Sequence, residues 1–249
     1  MQHQQYQPHE NPYQAYGTAV VPAAHAEVNA RADFIRKTYL NLGLAVLGFT
    51  GCCAGLIASG AAESLVRMIV TVPYGQFLFF IGFVGVAWLA ESWAHRTVSI
   101  GQQYAALTLY VVAESLFFAP MLYYLHTFEE ATGPIIGPAA IITLFIFFGL
   151  TAIVFYTAKD FSWLRGILGI GSMAALGLML AGWIFGFSLG IFFTVAMIAL
   201  AAGYILYYTS AVMRDYPTTH YVAAALTLFA SLALLFWYVL RLLSYLQSD

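Results

Sequence analysis

Glu114 is the residue of this chain whose type and setting most demand a chemical explanation. It stands thirteen residues into an apolar stretch that begins at Gly101, roughly 20 Å along a helix at 1.5 Å per residue. A carboxylate at that depth in a bilayer costs at least about 2.5 kcal/mol and often marks an ion or proton path. The side chain is too short to reach bulk water from there, so it must face other helices or a wet cavity. It is then either a titrating group or a neutral carboxyl hydrogen-bonded across helices. Glu91 lies about one turn from the end of an earlier apolar stretch, and Arg241 near the end of the last. Both are read as interfacial, Glu91 solvated or ion-paired and Arg241 snorkelling to the headgroups.

Two polar stripes accompany these charges. Thr227, Ser231, Tyr238, Arg241 and Tyr245 recur at three-, four- and seven-residue steps and so share one helix face. Tyr204 and Tyr208, four apart, share another. Polar faces in lipid turn inward. The stripes read either as a water-lined path or as hydroxyls that satisfy one another.

The elements that carry these residues follow from composition and run length. The chain has 249 residues, 62% hydrophobic and 8% charged. Soluble domains carry about 25% charged residues, so lipid is the natural solvent here. Seven stretches approach the roughly 20 apolar residues that cross the hydrocarbon core. They are Thr38–Ala58, Pro73–Ala94, Gly101–Tyr124, Pro134–Thr157, Gly166–Phe185, Phe187–Tyr208 and Tyr221–Leu243. The fold class is therefore an all-α membrane protein, a seven-transmembrane helix bundle. Pro73 and Pro134 fit the first turn of a helix. Little more than Gly186 separates spans five and six, which predicts a tight helical hairpin. Gly51 with Gly55, and Gly182 with Gly186 and Gly190, have the spacing of close helix packing within the bundle.

Placement of Lys and Arg sets the orientation. With the N-terminus inside, the inner set is Arg31, Arg36, Lys37, Arg96, Lys159, Arg165 and Arg214, and the outer set is Arg67 and Arg241. An odd number of spans then puts the C-terminus outside. Residues 1–33 are rich in Gln, Pro, Tyr and His, lack the apolar core of a signal peptide, and read as a disordered cytoplasmic tail before a membrane domain at 34–249.

Several function classes are excluded. A net charge of −2 gives no footprint for nucleic acid. Cys52 and Cys53 are adjacent in an apolar run and offer neither a disulfide framework nor a metal spacing. His3, His9 and His25 are irregularly spaced in the tail, and His95 and His220 fall on the opposite side from His126, so no metal site is expected. The only lysines, Lys37 and Lys159, lie at the inner surface, so no span carries a Schiff base. No nucleophile-elbow motif occurs. An enzyme and a bound cofactor are not expected.

Five segments in order resemble the Bax inhibitor-1 family, including its bacterial YccA-like branch. FIRKTYLNLGLAVLGF at 34–49 resembles the family's entry into span one. YVVAESLFFAPML at 110–122 is similar to its third span, with Glu114 as the acidic residue. TAKDFSWLRGILGIG at 157–171 is similar to the inner loop between spans four and five. AGYILYYTSAVM at 202–213 and AALTLFASLALLFWYVLRLL at 224–243 resemble the last two spans. The resemblance covers essentially 34–243.

It implies a seven-helix fold with one helix enclosed by the rest. It also implies a role among pH-sensitive calcium leak, restraint of cell death or stress, and modulation of a membrane-anchored AAA protease. The family's calcium-leak members carry an aspartate in each of the last two spans; here those positions fall on Tyr208 and Ser231. The basic partner at the inner end of span two corresponds to Arg96. Tyr and Ser cannot share a proton or hold a cation as two carboxylates do, so that gate is not carried over. The leading expectation is a non-enzymatic membrane regulator that binds another membrane protein, such as a membrane AAA protease. The alternative is a pH-sensitive calcium or proton leak with Glu114 as titrating group, and Glu114, Tyr208, Ser231 and Arg96 as its candidate residues. The YccA-like likeness places the chain in a bacterial cytoplasmic membrane.

Overall fold

The computed structural model describes residues 22–96, 99–127 and 134–247. Among them are seven helices long and apolar enough to cross a membrane, one short α-helix and a single 3-10 turn at Ala23–His25. The α-helices are α1 (Val28–Ala58), α2 (Ala61–Thr71), α3 (Gly75–Arg96), α4 (Ile100–Thr127), α5 (Ile136–Thr157), α6 (Leu164–Phe185), α7 (Gly190–Arg214) and α8 (Tyr221–Gln247). The seven long ones coincide with the seven expected spans, and no strand occurs among the described residues. The protein is a multi-pass membrane protein.

The last helix is the enclosed one. In α8, 78% of the most apolar window is buried, against 11% in α3 and in α6. Its residues Val222 to Ala225 are small and fully buried, which lets neighbouring backbones close in. Aromatic packing supplies much of the remaining contact. Phe49 of α1 meets Phe118 of α4 edge-on at 5.1 Å, and Phe118 stacks on Phe236 of α8 at 5.6 Å. Lipid is as apolar as these side chains, so complementary packing, more than water exclusion, holds the bundle together.

Contacts at one end tie together the ends rich in Lys and Arg. Lys37 lies 5.5 Å from the Tyr221 ring, Arg214 pairs with Asp160 at 3.3 Å, and Tyr216 reaches His95 at 3.1 Å. The backbone N–H and hydroxyl of Ser162, with Arg214 beside them, hold the Asp160 carboxyl below the usual range. Burial pushes the Tyr216 hydroxyl up to about 12, against the pull of its bond to Thr227. This basic end also receives the segment ahead of α1. The Ala23 N–H donates to the Tyr216 carbonyl at 2.9 Å, and Pro22 bridges to Pro217. The sequence boundary at residue 33 thus falls inside α1, because Arg36 and Lys37 pair with Asp33 and continue the helix toward its start. Residues 1–21 of the expected tail, with His3 and His9, lie outside the described residues.

Other details differ from expectation. Pro73 and Pro134 precede their helices by two residues instead of entering the first turn. Helix α2, at 11 residues too short to span, fills the gap after span one. Glycine packing is the largest difference. Gly51 and Gly55 face outward, with nothing within 4 Å of a Cβ placed there. Close approach is made by Gly203 and Gly171, where an added Cβ would stand 2.8 Å from Leu168 and Leu200 respectively, and by Gly182 of the expected set, where it would stand 3.1 Å from the Phe187 carbonyl oxygen. The α6–α7 turn does run through Gly186, which caps α6 in the left-handed region at φ 73°.

Candidate functional site

A cavity of about 960 Å³ runs between α3, α4, α6, α7 and α8. Its position follows from the uneven packing of the bundle. Helix α4 packs along α3 and α8, whereas α6 attaches chiefly through α7. Helices α3 and α6 meet where Phe77 and Phe80 pack edge-on against Trp183, at 5.4 and 5.2 Å, near the end opposite the basic one. Nearer the basic end Trp88 and Leu176 line the cavity and are exposed, Trp88 at 64%. The cavity therefore opens sideways between α3 and α6.

Polar groups enter it in layers. Measured along helix axes from the basic end, Glu91 and Tyr208 lie at about 8 Å, Tyr110, Tyr204 and Ser231 at about 15 Å, and Glu114 at about 21 Å. All of them line the cavity. Glu114 is 5% exposed, and Tyr110 stands one helical turn before it on α4. Tyr110 lines the cavity with both Glu114 and Glu91. The rings of Tyr204 and Tyr208 stack at 5.5 Å and 13°, as their four-residue spacing predicts. Tyr204 shares a 2.8 Å hydrogen bond with Ser172 of α6. Hydroxyls thus stand between the two carboxyls.

The four residues singled out from sequence divide. Glu114, Tyr208 and Ser231 line one cavity. The Ser231 hydroxyl, however, donates to the Thr227 carbonyl one turn back at 2.9 Å and is used within its own helix. Arg96 is exposed at the end of α3 and is not among the lining residues. Glu91, read as interfacial, is half-buried and lines the cavity. Its neighbours along the helix, Ala87 and Trp88, line the same void. Arg241 stands at the opposite end, donating to the Tyr245 hydroxyl at 3.2 Å with its guanidinium 5.7 Å from that ring.

At the basic end, near Glu91, the His95 Nδ1 meets the Glu91 carbonyl at 2.9 Å, and its Nε2 meets the Tyr216 hydroxyl. Tyr216 also meets Thr227 of α8 at 3.0 Å. This chain of contacts holds the end of α3 against α8. Among the described residues no three of His, Cys, Asp and Glu gather as a metal site would need.

Comparison with known proteins bears on the whole of this architecture. The family model described as "Inhibitor of apoptosis-promoting Bax1" matches residues 31–248. An uncharacterised protein of Pseudomonas aeruginosa is 27% identical over 251 residues, spanning 100% of both chains. Protein lifeguard 4 of Mus musculus is 29% identical over 233 residues, covering 92% of this chain and 90% of its own length.

Proposed function

The chain belongs to the Bax inhibitor-1 family, and from that premise we propose that this membrane regulator works by passing protons or cations through the cavity between Glu91 and Glu114. The observation that carries the reading is the pair of carboxyls in one membrane-depth cavity, with tyrosine hydroxyls layered between them. Carboxyls and hydroxyls can exchange protons along such a series, and ionised carboxylates attract a cation that has shed part of its water. The basic end faces the cytoplasm of a bacterial inner membrane, with the N-terminus inside and the C-terminus outside, as the excess of Lys and Arg favours.

The test is flux into liposomes holding the purified protein, followed with a pH dye and with a calcium indicator at two pH values. Wild type should leak in a pH-dependent manner, and Glu114→Gln and Glu91→Gln should each reduce the leak. Equal, pH-independent flux in all three would end the proposal.

A second reading has its own support. Helix α6 hangs on the bundle mainly through α7 and leaves Ile167, Ile170, Met173 and Ile184 exposed along its outer side. A helix of another membrane protein, such as a membrane AAA protease, would find a continuous apolar face there. Cysteine cross-linking from position 170 or 173 in intact membranes tests it; capture of lipid alone and no protein would remove this reading.

A further inference from the structure

The geometry points to a second use of the same cavity: it binds a lipophilic cation, an ammonium or phosphonium centre carried on an apolar or aromatic body, that enters from the bilayer between α3 and α6. This inference rests on the carboxyl-bearing cavity of the proposed pathway but does not require that any ion crosses.

Four observations select that occupant. The volume, about 960 Å³, is at the upper end of the range of small-molecule sites. The opening faces the side of the bundle, with exposed Trp88 at its edge, so a ligand dissolved in lipid reaches it without crossing the headgroups. The walls are aromatic and deformable: Phe83 stacks on Phe117 at 4.2 Å, Phe117 packs on Trp237 at 4.8 Å, and Met121 and Met179 complete the lining. Aromatic faces attract a desolvated cation, and thioethers adapt to varied shapes. The charge is one-sided. Glu91 and Glu114 are the acidic lining residues, and Arg241 is the only cation among the described residues that line the cavity. Arg241 stands about 20 Å beyond Glu91 and about 9 Å beyond Glu114 along the bundle, and is engaged with Tyr245. A neutral lipid tail would fill the volume but leave both carboxyls unmatched; an anion would meet them directly.

The experiment is equilibrium binding of tritiated tetraphenylphosphonium to the full chain in nanodiscs of zwitterionic lipid, with empty discs subtracted. Saturable binding near one per chain is expected. Glu91→Gln and Glu114→Gln should each weaken it about tenfold or more, the loss expected for removing a charged partner. Glu63→Gln should leave it unchanged, because that carboxyl pairs with Arg67 on α2 and lies outside the cavity. Dodecyltrimethylammonium should compete, and the neutral dodecanol should not. Thermal melting of each variant in the same discs establishes that it is folded. No saturable binding by folded wild type overturns the inference. So does binding that both glutamine variants retain, or that dodecanol displaces, since the cavity is then only an apolar groove. Binding without flux removes the pathway and keeps this site; flux without binding does the reverse.

Discussion

Replacing Gly203 with Ala tests whether α6 is held to the bundle by glycine contact with α7. The new Cβ would stand 2.8 Å from the Leu168 Cδ2 and 3.9 Å from its Cγ. Carbon atoms prefer about 3.5–4.0 Å, so Leu168, only 3% exposed, must leave its rotamer or push α6 away. Overpacking of this kind costs about 1–3 kcal/mol. The exchange of Gly for Ala within a helix returns about 0.5–1 kcal/mol. The net expectation is a loss of about 0–2.5 kcal/mol, centred near 1 kcal/mol or a few degrees in Tm for a chain of this size. Gly51→Ala and Gly55→Ala meet nothing within 4 Å, so each should gain about 0.5–1 kcal/mol. Thermal unfolding of the three variants in one detergent, followed by loss of the monomer peak in size exclusion, gives the comparison. A destabilised Gly51→Ala beside an unaffected Gly203→Ala would refute the assignment of which glycines pack.

Three further outcomes follow from local geometry. Thr143 is 2% exposed and its hydroxyl has no hydrogen-bond partner, so the isosteric Thr143→Val should raise stability by about 1 kcal/mol in the same melt; a loss would point to a bound water. Ala158 caps α5 at φ 48°, a conformation that costs a residue with a Cβ roughly 1–2 kcal/mol, which exceeds the roughly 0.4–1 kcal/mol that a freer unfolded chain takes back, so Ala158→Gly should raise the melting temperature and a lower one would refute the strain. Tyr216→Phe removes the hydroxyl that His95 and Thr227 share, and should cost about 1–3 kcal/mol and speed hydrogen exchange at the Arg96 end of α3.

The spans were legible because membrane crossing is a rule about length and hydropathy, both of which are properties of sequence alone. The Tyr204–Tyr208 face was legible for a similar reason, since one helix sets it. What involved two helices was not. Gly51-x-x-x-Gly55 and Gly203 look alike as letters; only the neighbour decides which one packs, and Leu168 is 35 residues away from Gly203. Helix α2 was missed because its 11 residues fall below the length that a spanning rule detects. Glu91 was misplaced for the same two-helix reason: depth along α3 can be counted, but the void it faces exists only because α6 stands off from α3. Ser231 shows the converse. Its position on the polar stripe was read correctly, yet its hydroxyl turns back on Thr227.

The spacing of the two carboxyls decides what kind of proton chemistry the cavity can hold. A pair of acids sharing one proton must lie within about 4–6 Å. At 4 Å and an effective dielectric of 20 their repulsion is about 4 kcal/mol, or roughly three pH units between the two titrations. Glu91 and Glu114 differ by about 13 Å along adjacent helices, so the same dielectric leaves about 1 kcal/mol, and water in the cavity leaves less. They should behave as two sites joined by hydroxyls, each keeping its own proton. Infrared difference spectra of the protonated carboxyl band, recorded across pH on Glu114→Gln, would show the Glu91 midpoint moved by about one unit or less. A displacement near three units would mean that the two acids approach each other as a dyad, and the layered relay through Tyr110 and Tyr204 would have to be abandoned.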